Sequence, residues 1–390
     1  MNSRQRLLAV LSGQIPDRVP ISCYELVGFD YNSWYNTHDS YKSLMNFVRD
    51  KSDCLYMAPL PSLPTGMSGD IFDKVAAHSA PIYEHISKRK WKQGKSTFYE
   101  LIFHTPKGDL KTVLRLDDDI YTVWTIEHLL KDISDIDKYI SFPWHQPDEF
   151  DLSAFASTQI SLGENGILLP SIADPICEAA EFFELGQFLM LSITDTAHIK
   201  RLLDFIHQRQ IALLNTIFKG GTKAGVDWSQ VLFRVCGPEY AIPPRLSPEY
   251  FANFVTPYVK RMSEIIHQHG AKMRIHSHGW IGKVISEMMK ANPDALDPIE
   301  PLPDGDISLG DVKKQIGDKV CLFGNIELKL LEHGEPAEVR DFVIDAMKQA
   351  KKGGRFVIMP TAGPINDPLS QKTEENYRVF IETAIEYGQY

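Results

Sequence analysis

Short, almost wholly apolar runs recur through the second half of the chain and alternate with longer segments whose apolar positions repeat at helical spacing. From Gly166 onward, GILLPSI, VLFRVCG, KMRIHSH, ALDPIE, KVCLFGN and RFVIMP read as strands covered on both faces. Between them lie amphipathic stretches such as SPEYFANFVTPYVKRMSEIIHQHG and PAEVRDFVIDAMKQAKKGG. Each opens on Ser or Pro and stops at Gly, as helix ends require. Upstream, RQRLLAVLSG predicts a short helix closed by Gly13, PDRVPIS leads into a strand near Val19 to Tyr24, and DCLYMAP supplies another after a helix around Ser40 to Asp50. From about Pro81 to Trp124 the period shortens to two, and a PKGD turn predicts antiparallel hairpins.

Strand–helix alternation over this length predicts an α/β fold with a parallel sheet. Two early and six later strands suit a (β/α)8 TIM barrel, a single domain spanning 1–390 with an early β-hairpin excursion at about 81–124. An open doubly wound sheet is the rival. It would carry a Gly-rich first turn, which this chain lacks.

Composition narrows the partners. The chain has 390 residues, 43% hydrophobic and 24% charged, with a formal net charge of −10, so neither nucleic acid nor an anionic membrane is expected to bind it. Five scattered cysteines without a C-x-x-C pair point to a reducing compartment. No apolar run approaches the ~18 residues of a membrane span, and the N-terminal run is too short for a signal peptide. A cytoplasmic enzyme with a small-molecule substrate is expected, and a homo-oligomer is compatible with the chain.

Chemistry in a barrel gathers where strands end. Arg234 and Cys236 close one strand ahead of the loop GPEY, His276 and His278 close the next, and Glu300 ends ALDPIEP. On a strand, side chains two apart share a face, so His276 and His278 point together with Arg274 behind them. Two histidines and a carboxylate at one mouth suit Zn²⁺, or another divalent metal held by two histidines and one acid with open positions. The bland alternative stays open: hydrogen-bonded histidines, with Glu300 paired to Arg274. Asp174, Asp227 and Asn325 are candidate catalytic groups, although either aspartate would serve as a helix cap. Tyr24, Trp34, Arg234 and Tyr240 are candidate substrate contacts, with Tyr24 and Trp34 as an aromatic wall.

The chain resembles the uroporphyrinogen decarboxylase superfamily, especially its methylcobamide:coenzyme M methyltransferases and related corrinoid-linked enzymes. The likeness runs through RQRLLAVLSGQIPDRVP, HTPKGDLKT, EHLLKD, and the tail from IHSHG through LFGNIE to PTAGPINDPLSQKTEENYR. It implies a TIM barrel and methyl transfer, with a corrinoid carried by a partner protein. The methyltransferase branch binds zinc through H-x-C, a Glu and a late Cys, which fall here on His276, His278, Glu300 and Ala362. Two thiolates are thus departures, and Cys236 or Glu239 are candidate replacements. The decarboxylase branch uses no metal and grips its substrate with arginines after the first strand. SCYELVGFDYNSWYN has none, and LYMAPLPSLPTG lacks the acid expected after the second. A carboxy-lyase and a non-catalytic ligand-binding barrel remain the alternatives.

Overall fold

The structure is a computed structural model that describes residues 1–61, 84–118, 120–145 and 147–390, with the backbone alone at 120–122. The chain divides into two compact units, one of Met1–Pro59, Ser153–Ile172 and Ala224–Tyr390, the other of Leu60–Leu152 and Ala173–Lys223. Among the described residues no helix is long and apolar enough to cross a membrane.

The strands in chain order are β1 (Cys54–Tyr56), β2 (Ile86–Gln93), β3 (Ser96–Phe103), β4 (Leu110–Asp117), β5 (Ile120–Glu127), β6 (Gly166–Leu168), β7 (Ser171–Ala173), β8 (Leu232–Cys236), β9 (Lys272–His276), β10 (Ala295–Asp297), β11 (Cys321–Ile326) and β12 (Phe356–Pro360). In the first unit β1 pairs with β6, and β7 to β12 form a parallel sheet in sequence order. Single contacts join these ladders. Leu168 bridges Val231, Ile21 bridges Ile358, and the Asp53 amide donates to the Ile21 carbonyl at 2.7 Å. Isolated joints rather than continuous ladders thus link these strands. Leu55, Ile167, Leu232, Phe323, Val357 and Met359 meet in one buried cluster.

The strand expected near Val19 to Tyr24 is reduced to isolated bridges at Arg18 and Ile21, and two further segments differ because of proline. GILLPSI is two strands, since Pro170 has no amide for a ladder; its carbonyl instead accepts from the Arg234 amide at 2.8 Å. The long helix expected from Ser247 breaks at Val255, giving Pro248–Phe254 and Thr256–Gln268 on either side of a residue at φ −120°. Pro257 is what the break accommodates.

The PDRVP stretch is an ionic lock. Asp53, 1% exposed, accepts from Arg6 at 2.6 Å, from Arg18 at 2.8 Å and from the Ile21 amide at 2.9 Å. Asp17 takes the Arg6 Nε at 2.7 Å. Asp53→Asn withdraws the charge that two arginines share, and should cost about 2 kcal/mol of unfolding free energy in a urea melt. A loss below a few tenths would show the lock to be idle.

In the second unit β2, β3, β4 and β5 form an antiparallel sheet in that order, with Gln93 opposite Ser96 across a two-residue turn whose Gly94 has φ 59°. The sheet occupies most of the β-rich stretch expected at 81–124; residues 81–83 and 119, and 62–66 of LYMAPLPSLPTG, lie outside the described residues. Helices Ile133–Ser141, Pro175–Glu181, Leu185–Thr194 and Thr196–Lys223 complete this unit.

Candidate active site

β8, β9 and β10 run in parallel register, so their ends align: Arg234 lies opposite Arg274, Cys236 opposite His276, and His276 opposite Asp297. Residues two apart share a face, which places both arginines and His276 on one side.

Asp297, which no sequence motif singles out, organises the group. It is fully buried, and its Oδ1 lies 2.9 Å from the Nε of Arg274, also fully buried. Those two atoms are not aligned for a hydrogen bond, so this side of the pair is held by charge. The other carboxylate oxygen lies 2.8 Å from His276 Nδ1. Burial alone would raise the Asp297 pKa, but the Arg274 charge, with the charge and hydrogen bond of His276, holds it at about 2. An ionised carboxylate only accepts, so His276 carries its proton on Nδ1 and presents a bare Nε2.

His276 is 3% exposed, and burial lowers its pKa to about 4 despite the adjacent acid. Arg274 already balances Asp297, so little of the carboxylate's field is left to charge the imidazole. The Tyr24 hydroxyl donates toward His276 Nε2 at a long 3.4 Å, and burial pushes the Tyr24 pKa up, keeping that proton in place. Accessibility rises along the line. Asp297 is shut away, Tyr24 is 6% exposed, and the His278 side chain is 37% exposed.

His278 behaves differently. β9 ends at His276, so alternation no longer governs His278, and the rings meet edge-on at 89° with centroids 4.8 Å apart. Its Nδ1 lies 2.8 Å from Glu300 Oε1, while Glu300 Oε2 accepts the Gly279 amide at 2.7 Å. Burial opposes its charge, but the bond to Glu300 and that acid's charge, with Glu239 adding, carry the His278 pKa above its ordinary value. Glu300 is lowered in turn, against burial, by the His278 bond and the Gly279 amide. His278 and Glu300 thus each favour the other's charged form.

The three residues expected from the sequence as a metal set are engaged with other partners in this arrangement. His276, His278 and Glu300 lie near one another, but both Glu300 oxygens are committed and the imidazoles stand perpendicular. Among the described residues no group of three or more His, Cys, Asp or Glu side chains is placed to hold an ion. Both Glu300 oxygens are taken by His278 and the Gly279 amide, while His276 Nε2 meets only the Tyr24 hydroxyl at 3.4 Å.

Backbone strain collects here. Tyr24 has φ 55° and Ile299, between Asp297 and Glu300, has φ 56°. Left-handed conformations at a bulky and a β-branched residue cost about 1–3 kcal/mol each and mark functional sites when packing enforces them. Gly324 lies at φ 149°, and a Cβ there would stand 2.1 Å from the Pro298 carbonyl oxygen. Only glycine lets β11 come that close to the loop carrying Glu300.

Other expected site residues separate into lining and scaffold. Asn325 is 3% exposed on β11, its Oδ1 without a hydrogen-bond partner. Burial raises the Glu239 pKa, and one of its oxygens is likewise shut off without a partner. Arg234 sets its guanidinium 5.4 Å from the Tyr24 ring centroid. Trp34 belongs to an aromatic cluster with Tyr35, His38 and Tyr41. Tyr240 takes the Arg245 guanidinium at 5.5 Å, and the Cys236 thiol donates to the Ile172 carbonyl at 3.5 Å.

The two aspartates each cap a helix. Asp174, in the second unit, caps helix Pro175–Glu181 by accepting the Cys177 amide at 2.8 Å. Asp227 precedes β8, at the end opposite His276, and its carboxylate takes Ser229 and Gln230. Ala362 lies beyond β12 with no donor to offer.

The model of the uroporphyrinogen decarboxylase family (URO-D) matches residues 171–387. Among curated proteins none matches the chain. A solved structure of a methyltransferase from Methanosarcina mazei is similar over 99% of this chain and 99% of that one, with a TM-score of 0.59 at 17% identity. A D-psicose 3-epimerase from Clostridium cellulolyticum H10, covering 63% of this chain and 94% of its own at 11% identity and TM-score 0.32, is too remote to inform the fold. The end-to-end likeness to the Methanosarcina protein speaks to the fold, and the family match, over more than half of the chain, speaks to descent. The chain belongs to the uroporphyrinogen decarboxylase family.

Proposed function

We propose that this chain is a methyltransferase on a (β/α)8 barrel, in which neutral His276 accepts the proton of the methyl acceptor. The observation that carries the reading is the line Asp297–His276–Tyr24, a buried imidazole held in one tautomer by an ionised acid with its basic nitrogen turned toward a phenol. A base needs that geometry first and a suitable pKa second. Membership of the family and the whole-length likeness to a protein described as a methyltransferase support methyl transfer as the reaction class.

In the step we propose, an acceptor thiol or hydroxyl gives its proton to His276 Nε2, directly or through Tyr24, as its lone pair attacks the methyl carbon. The bond from methyl to its former carrier breaks, and the electron pair leaves with the carrier. Arg274 and Asp297 are positioning residues. They fix the imidazole and meet the charge it gains. His278, whose pKa Glu300 raises, offers positive charge to a leaving group that turns negative whenever it is protonated. A corrinoid on a partner protein is the methyl carrier that the family resemblance implies, and no residue role here depends on it.

The pH dependence has a definite sign. His276 stays neutral until about pH 4, so the acid limb of kcat/KM should fall well below the ordinary imidazole value of 6.5. Between those values only the unfolded chain binds the proton at this position, so stability should decline as pH drops from about 6.5 to about 4. The His278–Glu300 pair works the other way. It stabilises below the ordinary imidazole pKa and is lost as pH rises through the raised value. A kcat/KM profile with an acid limb at pH 6.5 would contradict the assignment of His276.

The test of the reaction is methyl transfer from methylcobalamin to a panel of small thiols, read as thioether by mass spectrometry. Thioether formed by the wild type and lost in His276→Gln is expected. Transfer that persists in His276→Gln would refute the role of His276, and carbon dioxide release from a carboxylated tetrapyrrole would favour the carboxy-lyase reading.

A further inference from the structure

We infer that the site takes a substrate bearing a carboxylate, bound by the guanidinium of Arg234. Arg234 is partly buried at the end of β8, its Nε is shut off from solvent, and no described side chain makes a hydrogen bond or ion pair with it. Its one close neighbour of note is the Tyr24 ring, 5.4 Å away. Arg6 and Arg18 are matched by Asp53 and Arg274 by Asp297, and the partly buried Arg4, Arg49 and Arg355 donate to carbonyl or amide oxygens, whereas Arg234 has no such acceptor among the described residues. Asp297 and Glu25 act on Arg234 only at longer range, and Asp297 is already spent on Arg274 and His276.

A desolvated cation without a counter-charge is costly, and a fold retains one where a ligand completes it. The ligand's shape follows from the guanidinium. Its planar fork of N–H groups matches two coplanar oxygens, which a carboxylate supplies. Arg234 stands opposite Arg274 in the β8–β9 register, with His276 two residues further along the same face, so a carboxylate held there brings the rest of a small molecule beside the proposed base. The inference rests on the reading of this strand end as the active site and adds the class of molecule it admits.

The test is propionate binding to the full chain by saturation-transfer NMR and calorimetry, with sulfate and methylammonium as competing probes. Propionate should bind the wild type, weaken at least tenfold in Arg234→Gln, recover in part in Arg234→Lys, and be unchanged in His276→Gln, which removes the proposed base but leaves the anchor. Arg234→Gln without ligand should melt at the wild-type temperature or above it, since an unmatched charge has been removed. Equal affinity in wild type and Arg234→Gln, sulfate binding in preference to propionate, or a melting temperature lowered by several degrees in Arg234→Gln would each overturn the inference. His276→Gln that keeps activity but binds propionate normally would instead count against the base and leave the anchor standing.

Discussion

His276→Gln should lower kcat by about a thousandfold, within the range that a positioned general base contributes, while the protein folds with a loss of only about 1–2 kcal/mol. The stability change is small because Asp297 keeps its fully buried partner, Arg274, when the imidazole is gone. Glutamine still has an amide to offer Asp297, so little is left unsatisfied. The loss of rate is large because no neighbouring group combines a bare ring nitrogen with a fixed tautomer. Cys236, opposite His276 in the register, is bound to the Ile172 carbonyl. His278 is tied through Nδ1 to Glu300, which carries its pKa above the ordinary value, and it stands outside the line from Asp297 to Tyr24. Steady-state kinetics with a circular-dichroism melt decides the matter. A variant retaining more than a tenth of wild-type kcat would remove His276 from the mechanism.

Asp297→Ala should be the most damaging single change to the fold, costing about 3–5 kcal/mol, because it strands the Arg274 guanidinium in the core without a counter-ion. Arg274 has little else: a 3.8 Å contact to the Met359 sulfur and the Phe323 ring 5.1 Å away. The double change Asp297→Leu with Arg274→Met replaces the ion pair by apolar groups of similar volume and should restore most of the stability. It should not restore activity, since His276 then has no acid to hold its tautomer. That split separates the two jobs of the pair, neutralising a buried charge and orienting a base. Recovery of both stability and turnover in the double variant would mean that the pair is merely structural.

The physics of these two predictions also explains what could and could not be read from the chain. The strands and their order were legible because a sheet covered on both faces writes itself as apolar runs, as in the uniformly buried FVIMP and CLFGNI. The position of His276 and Arg234 at strand ends was legible too. Asp297 was not, because ALD reads as the finish of an apolar strand and nothing in sequence says which core residue faces it. A buried arginine in KMRIH was the available signal, since such a charge needs an acid nearby. Extending strand alternation past the residue where β9 stops is what misplaces His278. Asp174 and Asp227 have the local sequence of caps, Asp-Pro and Asp-x-Ser, and capping is what they do. The aligned thiolate positions of the family, at His278 and Ala362, suggested a metal by ancestry. In the structure the Glu300 carboxylate bonds its neighbouring imidazole.

Nitrogen-15 NMR of the histidine rings tests the central claim most directly. At pH 7 the His276 ring should be neutral, protonated at Nδ1 and bare at Nε2, should titrate near pH 4, and should give the same spectrum before and after chelator treatment. A cationic ring at pH 7, a proton on Nε2, or a signal that shifts when chelator strips a bound ion would contradict it.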